Sequence, residues 1–158
     1  MLRAGERAPE FTLPDEAGKD RSLTDFLNAG ATVLYFYPAD FTPGCTRQAC
    51  ALRDLQSELK NASLRVVGIS PQSPGSHARF RSKYNLPFAL LSDEDKAVIK
   101  MYGVNGPLGF GVRRATYLID GSRRIRDAVL ADFAVGRHTA FVRKAIMLRA
   151  SSSSQSPP

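Results

Sequence analysis

The chain has 158 residues, 43% of them hydrophobic, which is enough for one well-buried core and too little for two ordinary domains. Its 22 Lys and Arg against 15 Asp and Glu give a net charge of +7, but these residues stand singly or in short groups such as Arg113-Arg114, which predicts a solvated basic surface and no nucleic-acid partner. No stretch approaches the ~20 consecutive apolar residues of a membrane span, and Met1 to Arg7 turns charged without the apolar centre of an export signal, so a cytoplasmic protein with no membrane partner is expected.

Short β-type runs alternate with helical segments, the pattern of an α/β domain. Thr32 to Tyr37 (T-V-L-Y-F-Y) is nearly continuous in β-branched and aromatic residues, as suits a strand buried on both faces. It ends at Pro38, and after a Pro- and Gly-containing loop Leu52, Leu55 and Leu59 predict one helix over about Cys45 to Leu59. A strand follows at Leu64 to Ile69, a helix at about Ser76 to Tyr84 and a short strand at Phe88 to Leu91. Ser92 with acids at 93 to 95 looks like the start of a helix running to about Tyr102, because acids in a first turn suit the helix dipole. Ala115 to Ile119 and Arg124 to Leu130 are expected to form a hairpin about Asp120-Gly121, and Gly136 to Leu148 a last helix. Residues 1 to 150 are expected to be the domain, with 151 to 158 a disordered Ser/Pro tail.

There are two cysteines, Cys45 and Cys50. Without an export signal they point to a reducing compartment, where a reactive thiol is a better account than a structural disulfide. A zinc site would need both to converge with His77 and His138, and their spacing is not that of a ligand knuckle. The two histidines are expected in exposed or capping positions without a catalytic role. Cys45 follows a strand and a turn and opens a helix, where unpaired backbone N–H groups favour a thiolate and can hold a peroxide oxygen as charge develops. Thr42 stands three residues before it, within reach of the sulfur or a peroxide oxygen, and Pro38 can shield the site. Taken singly, Thr42 also reads as a helix cap and Pro38 as a strand terminator. Phe41, Phe110 and Tyr37 are candidates to line an apolar mouth, with plain core packing the blander account.

Pro38, Thr42 and Cys45 together spell Pro-x-x-x-Thr-x-x-Cys, and in this the chain resembles the peroxiredoxins. More narrowly, T-P-G-C-T-x-x-x-C at Thr42 to Cys50 is similar to the peroxiredoxin Q, or bacterioferritin comigratory protein, subfamily. Supporting pieces occur in the family's order: A-P-E-F-T-L-P-D, L-T-D-F at Leu23, V-G-I-S at Val67, L-P-F-A-L-L-S-D-E at Leu86 and T-Y-L-I-D-G at Thr116. The resemblance implies a thioredoxin-like fold with a central mixed sheet flanked by helices. It also implies a thiol peroxidase needing no metal, haem or flavin, acting as a monomer on hydroperoxides and recycled by thioredoxin or a similar dithiol. Cys45 would be the attacking cysteine, and Arg114, from its place in R-A-T-Y-L-I-D, the arginine that stabilises thiolate and peroxide. Strand alternation lets at most one of Arg113 and Arg114 reach the sulfur.

Cys50 falls where some members carry a resolving cysteine. Residues five apart in an intact helix have Cα atoms ~8.7 Å apart, and a disulfide needs less than about 7 Å. A Cys45–Cys50 disulfide therefore requires the first turns of the helix to unwind; the blander account of Cys50 is a small buried hydrophobe. Gln48 stands where many members have Glu, and the Gly-rich stretch from Val104 to Val112 looks shorter than in some relatives. Two other readings remain open at the level of sequence: a general thiol–disulfide oxidoreductase, against which the four residues between the cysteines argue, and a non-catalytic thioredoxin-like binding module.

Overall fold

A computed structural model of the chain describes the backbone of residues 1–154 and the side chains of residues 1–149. The β-rich run after Gly30 forms β3 (Ala31–Phe36), buried at every position because strands flank it on both edges and helices cover both faces. Before it come β1 (Thr12–Pro14) and β2 (Asp20–Ser22), a small antiparallel pair, and α1 (Leu23–Leu27). Ser22 and Asp25 close a capping box at the start of α1. These N-terminal elements are too short to show a periodicity in sequence.

After β3 the chain crosses through α2 (Pro43–Asp54) and α3 (Gln56–Asn61) to β4 (Leu64–Ser70), then through α4 (Pro74–Tyr84) to β5 (Ala89–Ser92). α5 (Ala97–Met101) leads through a loop to β6 (Ala115–Ile119), β7 (Ile125–Leu130) and α6 (Gly136–Ser154). The five-stranded sheet runs β5-β4-β3-β6-β7, parallel between β3, β4 and β5 and antiparallel between β3, β6 and β7. This is an α/β domain, as the alternation of elements predicts, with the mixed sheet flanked by helices that the family resemblance implies.

Three boundaries differ from expectation. The helix after the Pro-Gly loop is two, because Leu55 leaves helical geometry (φ −93°, ψ 6°) while its side chain stays in the core, a break no Gly or Pro announces. The helix expected from Ser92 starts at Ala97, because residues 93–96 form a turn with Lys96 in the left-handed region; buried Asp93 accepts from the Ile99 N–H (2.7 Å) and so caps α5 from outside it. Finally, α6 runs on to Ser154, so the first four residues of the expected disordered tail are helical, and residues 155–158 lie outside the described residues.

Alternation along β3 feeds two cores. Val33 and Tyr35 face α2 and α6, together with Leu52, Leu59, Phe80 and Val142. Leu34 and Phe36 face the other side with Phe26, Ile99, Tyr102 and Tyr117. Tyr35 lies opposite Gly68 of β4, and a Cβ at Gly68 would come within 2.9 Å of the tyrosine ring and 3.0 Å of Leu90. The strand thus needs glycine here for space, not for backbone freedom. Gly68→Ala is expected to overpack this core and cost about 1–3 kcal/mol in urea unfolding. An unchanged unfolding midpoint would show that the ring has room to give way.

Candidate active site

Two elements far apart in sequence build the site. Pro43 starts α2, where its missing N–H costs nothing, and Cys45, Gln48, Ala49 and Leu52 make a buried stripe at helical spacing. Cys45 is only 1% exposed and Cys50, on another side of the helix, is half-buried; both are free thiols. From the sheet, Arg114, immediately before β6 and 5% exposed, reaches back to the helix. Its Nη2 donates to Cys45 Sγ (3.3 Å) and its Nη1 to Gln48 Oε1 (2.6 Å). Gly44 makes this approach possible, since a Cβ there would stand 3.2 Å from Arg114 Nη2.

The backbone of Arg114 is fixed on both sides. Its N–H donates to Asp132 Oδ1 (3.0 Å), and its carbonyl accepts from Ala131 N–H (3.1 Å). Arg113 turns the other way, pairing through Nη2 with Asp132 Oδ2 (3.0 Å). One carboxylate therefore anchors the main chain of Arg114 and occupies the side chain of its neighbour. Four buried polar atoms in this region have no protein partner: Tyr35 OH, Thr46 Oγ1, Gln48 Nε2 and Arg114 Nε. Each can donate a hydrogen bond. Burial holds the Tyr35 phenol proton far above its ordinary range, and a charge on Cys45 adds to that.

Thr42 is the N-cap residue of α2 but makes no side-chain cap; its hydroxyl donates to the Ala39 carbonyl (3.0 Å) and not to the sulfur. Pro38 is half-buried at the end of β3. Of the three aromatic candidates, Tyr37 is core, Phe110 is exposed on the 104–112 loop, and Phe41 packs edge-on to Phe80 of α4 at 5.2 Å. Phe41 also adopts φ +66°, a left-handed conformation that costs a non-glycine residue roughly 1–2 kcal/mol. Two open clefts, of about 560 and 670 Å³, lie on other faces, and residues 37–50 line neither. Among the described residues no group of three or more His, Cys, Asp or Glu is placed to hold a metal ion. No helix among them is long and apolar enough to cross a membrane.

Both histidines correct their expected placement. His77 is fully buried and His138 is 1% exposed. His77 joins a polar cluster with the nearby Ser70 and Ser76 and with Tyr37 and Asp40, 40 and 37 residues away and beyond what a local pattern can reveal. His138 bridges β6 and the segment after β7: its Nδ1 is 2.8 Å from Thr116 Oγ1 and its Nε2 2.9 Å from the Ala131 carbonyl. The carbonyl can only accept, so Nε2 donates; burial lowers the ring's pKa, and in the neutral ring Nδ1 accepts from the Thr116 hydroxyl.

Residues 4–128 match the AhpC/TSA family. Among curated proteins the chain is similar to peroxiredoxin Bcp of Escherichia coli K12, 45% identical over 143 residues, 87% of this chain and 90% of that protein. Among solved structures it is similar to peroxidoxin BcpB of Mycobacterium tuberculosis, with a TM-score of 0.87 and 35% identity over 96% of this chain and 98% of that one. It is also similar to the bacterioferritin comigratory protein of Xanthomonas campestris, studied for alkyl peroxide reduction activity, with a TM-score of 0.80 and 28% identity over 89% of this chain and 92% of that one.

Burial, helped by the positive charges of Arg114 and Arg137, lowers the pKa of His138 below 6.5 against a hydrogen bond to Ala131 that raises it. Its contribution to stability is therefore fully present above 6.5 and is lost as pH falls through the lowered folded value, because the unfolded chain then binds the extra proton. Urea midpoints at about pH 7.5 and about pH 5.5 are expected to drop further in the parent protein than in His138→Gln. Equal drops would show that this ring does not set the acid limb.

Proposed function

The chain belongs to the AhpC/TSA family and, within it, to the peroxiredoxins of the Bcp and Q type, which makes it a thiol peroxidase with a thioredoxin-like fold, and on that premise we propose that Cys45 attacks the hydroperoxide. The observation that carries this reading is the hydrogen bond from Arg114 Nη2 to Cys45 Sγ, made in the first turn of α2. A guanidinium is charged at all working pH, and of the two atoms this one touches, the Gln48 amide oxygen cannot ionise and the sulfur can. The fixed cation is therefore aimed at the sulfur, the one of the two atoms that can act as a nucleophile.

In the first step the Cys45 thiolate attacks the terminal oxygen of ROOH. The S–O bond forms as the O–O bond breaks, sulfur is oxidised by two electrons, and the departing RO⁻ takes a proton to leave as water or alcohol. Arg114 lies where it can hold both the sulfur and the developing oxyanion, and the first-turn N–H groups of Gly44 and Cys45 add donors. Gln48 Nε2, Arg114 Nε and the Thr46 hydroxyl, which have no protein partner, are further donors for peroxide oxygens. Pro38 shields the sulfur, and Thr42 orients the substrate after its hydroxyl leaves the Ala39 carbonyl. Hydrogen peroxide and organic hydroperoxides are both substrates in this reading; the alkyl peroxide reduction named for the X. campestris relative supports the second.

The Cys45 sulfenic acid then condenses with the Cys50 thiol, an S–S bond forming and water leaving. Both cysteines lie in one unbroken helix, so the turns between them must open for the sulfurs to meet. Thioredoxin or a similar dithiol then reduces the disulfide by exchange.

With thioredoxin, thioredoxin reductase and NADPH, the protein is expected to oxidise NADPH when hydrogen peroxide or an alkyl hydroperoxide is added. Cys45→Ser should abolish this, and Arg114→Ala should lower the rate of the first step by roughly 10²–10³. Cys50→Ser should support one turnover and yield no species two hydrogens lighter. A parent rate no faster than the protein-free blank would end the peroxidase reading. A parent protein that gives no species two hydrogens lighter after one equivalent of peroxide would end the resolving role of Cys50 alone.

A further inference from the structure

The loop from Pro38 to Pro43, which carries Thr42 and leads into Cys45, is tied to α4 by a buried carboxylate. Asp40 is 6% exposed and its oxygens accept three hydrogen bonds. Tyr37 OH donates to Oδ1, and Ser76 Oγ and His77 Nδ1 approach Oδ2, each at 2.7 Å. The other ring nitrogen, His77 Nε2, is 3.1 Å from the Leu91 carbonyl at the end of β5. The ring is thus held from both sides, by the Asp40 carboxylate at Nδ1 and by the Leu91 carbonyl and the Ser70 hydroxyl (3.3 Å) at Nε2. Burial alone would raise the pKa of Asp40, but the bonds and charge from His77 and the bonds from Tyr37 and Ser76 outweigh it and bring it below the usual carboxylate value.

The next residue, Phe41, is held left-handed (φ +66°), with its ring against Phe80 and Tyr84 of α4. A strained residue persists where its surroundings over-determine it, and here α4 supplies those surroundings on both sides of the loop. We propose that the Asp40–His77–Ser76 cluster is a latch that holds the Cys45 loop and the first turn of α2 in the peroxide-reducing arrangement, and that its strength sets how fast the oxidised Cys45 meets Cys50. Asp40 and His77 are positioning residues in this scheme. They touch neither the sulfur nor the peroxide, and they act by setting the free energy of opening the turn that separates the two thiols. The latch rests on the two-cysteine cycle proposed above for its effect on turnover, but not for its effect on loop opening.

Asp40→Asn is the informative variant. It keeps the shape and lets His77 satisfy Leu91 with Nε2–H while Nδ1 accepts from the new amide, so packing survives and the buried carboxylate that gathers the three hydrogen bonds is lost. Rapid quench with thiol trapping after one equivalent of hydrogen peroxide separates the two steps. Disulfide formation is expected to rise roughly tenfold, and loss of the Cys45 thiol to change no more than about threefold. At high peroxide, less Cys45 should reach the sulfinic acid, because faster condensation removes the sulfenic acid first. Ser76→Ala, at a half-buried helix position, should shift the same partition in the same direction by about two- to threefold and serves if Asp40→Asn does not fold.

Amide exchange of residues 41–50 in the reduced protein gives a readout that does not involve Cys50. It should quicken in both variants while exchange in β3 stays unchanged. If the parent forms no Cys45–Cys50 disulfide, the two-cysteine cycle fails and exchange alone judges the latch. Unchanged exchange of residues 41–50 in both variants, or equal changes in both chemical steps, would overturn it.

Discussion

A buried guanidinium that bridges a helix and a sheet is the constraint around which the site is organised. Arg114 is almost fully excluded from solvent, and an unpaired buried cation would cost several kcal/mol. The Asp132 carboxylate is committed to the Arg114 main chain and the Arg113 side chain. What meets the Arg114 head group is an amide oxygen and a sulfur. With Gln48 in place of a glutamate, no second anion competes for the cation at this contact, so its charge is directed at Cys45.

The sheet explains why this contact can form. β3 lies between parallel β4 and antiparallel β6, with Phe36 opposite Ala115. Arg114, one residue before Ala115, thus arrives at the level where β3 gives way to the loop that leads into α2. Covering the same face, α2 presents Cys45 and Gln48 one turn apart, the spacing that the two branches of the guanidinium span. His138, which ties Thr116 of β6 to Ala131, keeps the strand pair behind Arg114 in register with α6.

Legibility in the sequence followed how local each determinant is. β3 was readable because six consecutive residues are buried and their chemistry says so, and the stripe Leu52, Leu55, Leu59 survives even though the backbone breaks at Leu55. Asp120 was readable as a turn because its carboxylate accepts from the N–H groups of Ser122 and Arg124 within the same few residues. The strands Thr12–Pro14 and Asp20–Ser22 were not, since three residues cannot establish a period. The histidines were placed wrongly for a different reason. What buries His77 is Asp40, 37 residues away, and what buries His138 is Thr116, 22 residues away, and nothing beside either ring signals those partners.

The same division between local and distant forces describes the first turn of α2. By local criteria that turn is weak: Thr42 does not cap it, its second residue is Gly44, and it contains no acid to complement the dipole. A missing side-chain cap forgoes about 1 kcal/mol, and a glycine in a helix about another. Tertiary contacts hold it instead: Arg114 on the sulfur, and the loop before it fastened through Asp40 to α4. A turn held by contacts and not by propensity comes apart cooperatively once those contacts are altered. Oxidation of Cys45 alters the first of them directly, because the atom that receives the Arg114 hydrogen bond is the atom that changes. In the cycle proposed here, the bond that holds the sulfur before reaction is thus the one whose loss afterwards favours opening the helix toward Cys50.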